Sequence, residues 1–251
     1  MNVHKYIMEK IEKEKALIFS VIDPLDYSDY ETMIKTIKNA NEADVDAIVI
    51  GGSIGVQGKY LDDIIKDVKS FCSLPIILFP GNIGTISPFA DAIYFLSLLN
   101  SRNPYWITRA QMLASPVIKK MNIEALSVAY LVVEPGGTVA YVGEADVLPR
   151  SNLKVASAYA MAAEMIGFKY IFTDAGSNAE RHIPLPFIKA VRKATTLPYI
   201  VAGGIKEPEQ AMEIIKAGAD IVQIGTAFEL DNAKERIKSF VKSIKEAGRK
   251  K

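Results

Sequence analysis

Cysteine, histidine and net charge are all scarce in this chain. Its 251 residues include one cysteine, Cys72, and two histidines, His4 and His182. A lone thiol excludes an internal disulfide framework and suits a reducing compartment. With one thiol and two distant histidines there is no ligand set for zinc, and both histidines read as ordinary surface residues. Thirty Lys and Arg against 29 Asp and Glu leave a formal charge of +1, so there is no electrostatic footprint for nucleic acid. Long hydrophobic runs are also missing. The longest, near Ala92–Leu99 and Ala129–Val133, are too short to cross a bilayer. The stretch MNVHKYIMEKIEKEK mixes charge and apolar residues without the apolar core of a signal peptide. These absences predict a cytoplasmic protein with no transmembrane segment and no nucleic-acid partner.

What the chain does have is a recurring unit. Short apolar runs without alternation, each followed by turn residues, read as parallel strands buried on both faces. They fall at Leu17–Ile22, Ala47–Ile50, Ile76–Phe79, Ala92–Leu96, Leu126–Val133, Tyr170–Thr173, Tyr199–Ala202 and Ile221–Ile224. Eight such units in a chain of this length predict an α/β fold of the (βα)8 TIM-barrel type, a single domain over residues 1–251. A helix is expected from Pro208 to Gly218, with proline just inside its start and glycine just past its end, and another over Asn152–Ile166. Only twelve residues separate Phe79 from Ala92 and they are rich in Gly and Pro, so the third crossover should be irregular. Ala129–Leu148, with three glycines near its centre, reads as an elaborated loop or a hairpin. The Lys-rich tail after Ile237 reads as a helix fraying into solvent.

In such a barrel the strands' carboxy-terminal ends form the catalytic mouth. That rim offers Asp23 and Ser53, then Glu134, then the turn Asp174-Ala175-Gly176-Ser177-Asn178, and finally the pairs Gly203-Gly204 and Gly225-Thr226. Glycines after two successive strands let backbone N–H groups approach an anion, and loops after strands 7 and 8 are the usual phosphate site. Asp23 and Ser53, on neighbouring strands, supply hard oxygens for Mg²⁺, which takes one or two protein oxygens and fills its remaining positions from water and phosphates; a turn cap before Pro24 is the plainer use of Asp23. Asp174 is placed to hold or deprotonate a hydroxyl, or to cap the next helix. The aromatics Tyr94, Phe95, Tyr105, Trp106 and Tyr130 suit the core, an interface or the wall of an apolar groove.

The segments IDP at Ile22–Pro24, GGS at Gly51–Ser53, LFPGN at Leu78–Asn82, ADAIYFLSLLNSRNPYW at Ala90–Trp106 and YLVVEPGGTVAYVGEA at Tyr130–Ala145 resemble the geranylgeranylglyceryl phosphate synthase family, as do the DAGS turn and the two glycine loops. The resemblance implies a Mg²⁺-dependent prenyltransferase of archaeal ether-lipid synthesis. It would join geranylgeranyl diphosphate to the C3 hydroxyl of sn-glycerol 1-phosphate and release diphosphate. It further implies Asp23 and Ser53 as metal ligands, Asp23 and Asp174 as catalytic groups, and a homo-oligomer, dimer or hexamer. Phe172, Thr173, Asp174, Ala175, Gly176, Ser177 and Asn178 would hold glycerol phosphate, with Gly203, Gly204, Gly225 and Thr226 around its phosphate. The family's usual YLEAGSG is FTDAGSN here, so Phe172, Asp174 and Asn178 depart from it, and Thr226 stands where Asn is common. Rival readings are a sugar-phosphate isomerase or aldolase-like barrel, for which no strand-end lysine is apparent, and a non-catalytic phosphate-binding barrel.

Overall fold

The computed structural model describes residues 2–52, 54–229 and 232–251. Its strands are β1 (Leu17–Ile22), β2 (Ala47–Gly52), β3 (Ile76–Pro80), β4 (Ala92–Leu98), β5 (Glu124–Val132), β6 (Tyr170–Asp174), β7 (Tyr199–Ala202) and β8 (Ile221–Ile224). They close in sequence order into one parallel barrel, with β8 pairing back onto β1. Each strand has two buried faces. Leu17, Phe19, Val49 and Tyr94 point into the barrel, while Ile18, Ile48, Ile50 and Ile93 point out beneath the helices. This is why the strands read as continuous apolar runs.

The helical layer consists of α1 (Val3–Glu14), α2 (Tyr30–Glu42), α3 (Gly58–Lys69), α4 (Ala110–Met121), α5 (Gly137–Val142), α6 (Leu153–Ile166), α7 (Leu185–Ala194), α8 (Pro208–Ala217) and α9 (Ala233–Gly248). The boundaries follow local chemistry. Asn152 caps α6 by accepting the Val155 N–H, and Gly167 ends it in a left-handed conformation. Glu207 and Gln210 form a reciprocal capping box at α8, behind Pro208.

Three departures from regular alternation shape the molecule. No helix covers the crossover from β3 to β4, as the glycines and prolines there predict. After β5 the chain forms the short α5 and not a hairpin: its flanks Val133 and Leu148 meet in a parallel bridge, not the antiparallel ladder of a hairpin, and Ala145 bridges Ser101. At the amino-terminal end, α1 lies across the barrel and buries Val3 and Ile7 in its interior. The tail also differs from expectation. Lys245 contacts Glu14 at 2.5 Å and Asp46 at 2.8 Å, and Lys251 contacts Asp220 at 2.7 Å. These lysines dock the end of the chain onto the barrel floor, so it does not fray.

Candidate active site

A cavity of about 660 Å³ occupies the carboxy-terminal mouth, within the range usual for small-molecule sites. Its wall has three parts.

The first is a polar cup over β6, β7 and β8. Asp174 ends β6 and is buried; its Oδ2 accepts the Tyr130 O–H at 2.7 Å and its Oδ1 accepts the Gly176 N–H at 2.7 Å. Burial raises its pKa, and the two hydrogen bonds offset part of that rise. Gly203 passes directly above at a φ of +87°; a Cβ there would stand 2.8 Å from both the Asp174 carboxylate and the Gly176 nitrogen. Only glycine permits that approach and that backbone. Gly204, Gly225 and Thr226 continue the wall, with Ser177 and Asn178 facing them. Arg236 of α9 joins the two glycine loops: its Nε donates to the Ala227 carbonyl at 3.0 Å, and its Nη2 reaches the Lys206 carbonyl and Glu207.

Strand alternation splits the FTDAGSN segment. Phe172 points inward one layer below Asp174, its ring 5.0 Å from that of Tyr130, and forms floor beneath the cavity. Thr173 points outward to the Tyr199 hydroxyl at 2.8 Å, and Ala175 joins the outer core. Thr173 and Ala175 therefore do not line the cavity; Asp174, Gly176, Ser177 and Asn178 do. Glu134 is also turned away, accepting the Arg150 backbone N–H at 3.1 Å.

The second part is an acidic corner. Asp23 leaves β1 against the backbone of Gly52 and, among the described residues, its carboxylate accepts only a long bond, 3.4 Å, from the Leu25 N–H. That is weak for a turn cap. Burial first, and the charge of Asp26 second, push its carboxyl up to about 6. Glu229, beyond β8, is pushed up to about 7 by burial and then by Asp26 and Asp23. Ser53 lies outside the described residues. Among the described residues no three Asp, Glu, His or Cys side chains converge closely enough to hold a metal alone. The corner nevertheless has the donors a hard cation takes, and mutual repulsion that such a cation would relieve.

The third part is apolar. Because no helix covers the β3–β4 crossover, the outer side of β4 at Ile93 and Phe95 is open to the cavity, with Ile86, Trp106, Ala114 and Ile118 around it. Phe95, Trp106, Tyr94 and Tyr130 all line the cavity: Phe95 from the outer face of β4, and Tyr94 and Tyr130 from the barrel interior, against which Trp106 packs.

Several features escaped the sequence reading. Tyr130 was legible as an aromatic but not as the partner of Asp174, 44 residues away. Glu229, Arg236 and Gln223 carry no motif. One lysine, Lys206, does line the cavity, in the loop beyond β7 and not at a strand end. His4 is half-buried, its Nδ1 2.7 Å from the Tyr170 hydroxyl, and His182 is half-buried with its Nδ1 2.8 Å from the Ile183 carbonyl oxygen, so neither is an ordinary surface residue.

Comparison with known proteins gives consistent findings. Residues 9–244 match the PcrB family. The chain is 47% identical over 243 residues to the geranylgeranylglyceryl phosphate synthase of Pyrococcus horikoshii, covering 95% of each chain. It is 47% identical over 245 residues to that of Methanosphaera stadtmanae, covering 97% of this chain and 100% of the relative. Among solved structures, the (S)-3-O-geranylgeranylglyceryl phosphate synthase of Thermoplasma acidophilum, in complex with its substrate sn-glycerol-1-phosphate, superposes with a TM-score of 0.93 at 35% identity, covering 98% of this chain and 99% of that one.

Proposed function

The chain belongs to the PcrB family, that of the geranylgeranylglyceryl phosphate synthases, and on that premise we propose that it joins geranylgeranyl diphosphate to the C3 hydroxyl of sn-glycerol 1-phosphate. The observation that carries this reading is one cavity with a phosphate-sized polar cup at one side and an apolar slot beside β4 at the other. A sugar-phosphate enzyme has use for the cup and none for the slot.

The C3 oxygen attacks C1 of the prenyl donor, the C1–O bond to diphosphate breaks with its electron pair, and diphosphate leaves. The glycine loops hold the phosphate of glycerol phosphate, fixed against each other by Arg236, so that one hydroxyl reaches C1. Asp174 accepts from the attacking hydroxyl and takes its proton; burial raises its basicity, and Tyr130 fixes its orientation. Asp23 and Ser53 would hold Mg²⁺, which when bound neutralises charge on the leaving diphosphate. The slot takes the prenyl tail.

The test is incubation with sn-glycerol 1-phosphate and a panel of prenyl diphosphates, with and without Mg²⁺, followed by mass analysis of the lipid fraction. A prenyl ether formed only with Mg²⁺ is the expected result. Sugar-phosphate turnover with no ether overturns the reading. Among the described residues no helix is long and apolar enough to cross a membrane.

We read the protein as a homo-oligomer as well, dimer or hexamer. Tyr141 on α5 is 89% exposed, and Met112, Leu113 and Val117 on α4 and Met165 and Ile166 on α6 are exposed too. Aromatic anchors often dominate interfaces. Tyr141→Ala should therefore lower the particle mass measured by light scattering while the far-UV spectrum stays unchanged.

A further inference from the structure

Gln223 is a polar side chain in the barrel interior, 3% exposed, on a strand otherwise filled by aliphatic residues. It faces the cavity. Its Oε1 accepts the O–H of Tyr94, across the barrel on β4, at 2.9 Å. That bond fixes the amide, and its Nε2 has no partner among the described residues. The side chain is enclosed but this donor opens onto the cavity, which makes it a candidate for ligand contact.

The register locates this donor. Asp174 on β6 stands opposite Ala202 on β7, and Ala202 stands opposite Gln223 on β8. Asp174 and Gln223 thus occupy one layer of the barrel, two strands apart. Gln223 also lies two residues below Gly225, about 6.6 Å along the strand, a span comparable with the reach of a three-carbon chain. A polyol phosphate with its phosphate at the glycine loops brings its carbinol end down to this layer. There it meets an acceptor on one side and a donor on the other. A diol needs both: one hydroxyl gives its proton to Asp174, and the oxygen of its neighbour takes an N–H.

We propose that Gln223 donates from Nε2 to a hydroxyl oxygen of the bound glycerol moiety, and that Tyr94 is the positioning residue that aims it. The inference rests on the glycerol phosphate reading above and deepens it. Gln223 reads the carbinol end, and the glycine loops read the phosphate.

Calorimetric titration with sn-glycerol 1-phosphate and, separately, inorganic phosphate tests this. The variants are Gln223→Leu combined with Tyr94→Phe, which removes the pair without stranding a buried hydroxyl, and the similarly sized Gln223→Met. Both should lose roughly 3- to 10-fold in glycerol phosphate affinity, the worth of one neutral hydrogen bond, while inorganic phosphate affinity stays within about twofold. A purely structural role would move both ligands together, and that outcome overturns the proposal. So does an unchanged glycerol phosphate affinity in either folded variant. A wild-type protein that binds phosphate but not glycerol phosphate instead sinks the substrate reading itself.

Discussion

At the amino-terminal end of the barrel, Asp46 is fully buried, yet its oxygens meet Lys10 at 2.5 Å, Lys245 at 2.8 Å and the Ile18 N–H at 2.8 Å. Asp220 repeats the arrangement with Arg192, Lys251 and the Tyr199 N–H. At the carboxy-terminal mouth, Asp23, Asp174 and Glu229 have no ion pair among the described residues, and the pKa of each is raised by burial. Burial alone therefore does not distinguish the two ends. What differs is whether the protein itself supplies the counter-charge. A buried anion with its own lysines is part of the scaffold. A buried anion without one is stored strain, relieved by something that arrives from outside.

The largest expected effect lies at the floor. Asp46→Ala leaves two lysines without their buried partner, and a loss of about 3–5 kcal/mol is expected from urea unfolding. Turnover per folded molecule should not change, because Asp46 is at the end of the barrel away from the mouth. A selective loss of turnover would break the comparison.

At the mouth the sign reverses. Asp23→Asn should lower kcat by roughly 10²-fold or more, since Lewis-acid assistance amounts to several kcal/mol. The urea midpoint should not fall. If kcat holds and stability drops, Asp23 is a turn cap after all.

The smallest effect sharpens the contrast through pH. The folded-state pKa of Asp174 lies above the ordinary carboxylate value. Its contribution to stability is therefore present at low pH and lost as pH rises through that folded value. Asp174→Asn does not titrate, so the melting temperature of the variant should gain on wild type as pH goes from 4 to 8. Its activity should fall. A variant that instead loses ground to wild type as pH rises contradicts the assignment.

How much of this was legible in the sequence follows from the range of the interactions. Strands buried on both faces announce themselves locally, so β1, β7 and β8 begin and end where their apolar runs do. The start and stop of α8 are equally local, written in Pro208 and Gly218. Alternation within a strand is also local: it turns Thr173 and Ala175 outward, away from the Asp174 and Gly176 they adjoin in sequence. The rest is contact across the barrel. Neither the Tyr130–Asp174 bond, nor the reach of Arg236 to two loops, nor the docking of Lys245 on Asp46 leaves a trace in spacing. Glu134 looked like a rim carboxylate because its strand ends there, but the chain beyond it folds back and uses its oxygen for Arg150.

The uncovered crossover between β3 and β4 changes what kind of container the barrel is. A complete ring of helices makes a cup, and a cup selects by volume: whatever enters must fit entirely inside. Omitting one helix cuts a notch in the side, and a notch selects by cross-section. A molecule can then sit with its reactive head in the barrel and its tail lying out through the wall beside Phe95 and Ile118. Each added unit of tail contributes contact only while there is wall beside it. Affinity should therefore climb with tail length and then level off, with no sharp size limit, and a finished product can slide out sideways without passing the polar mouth.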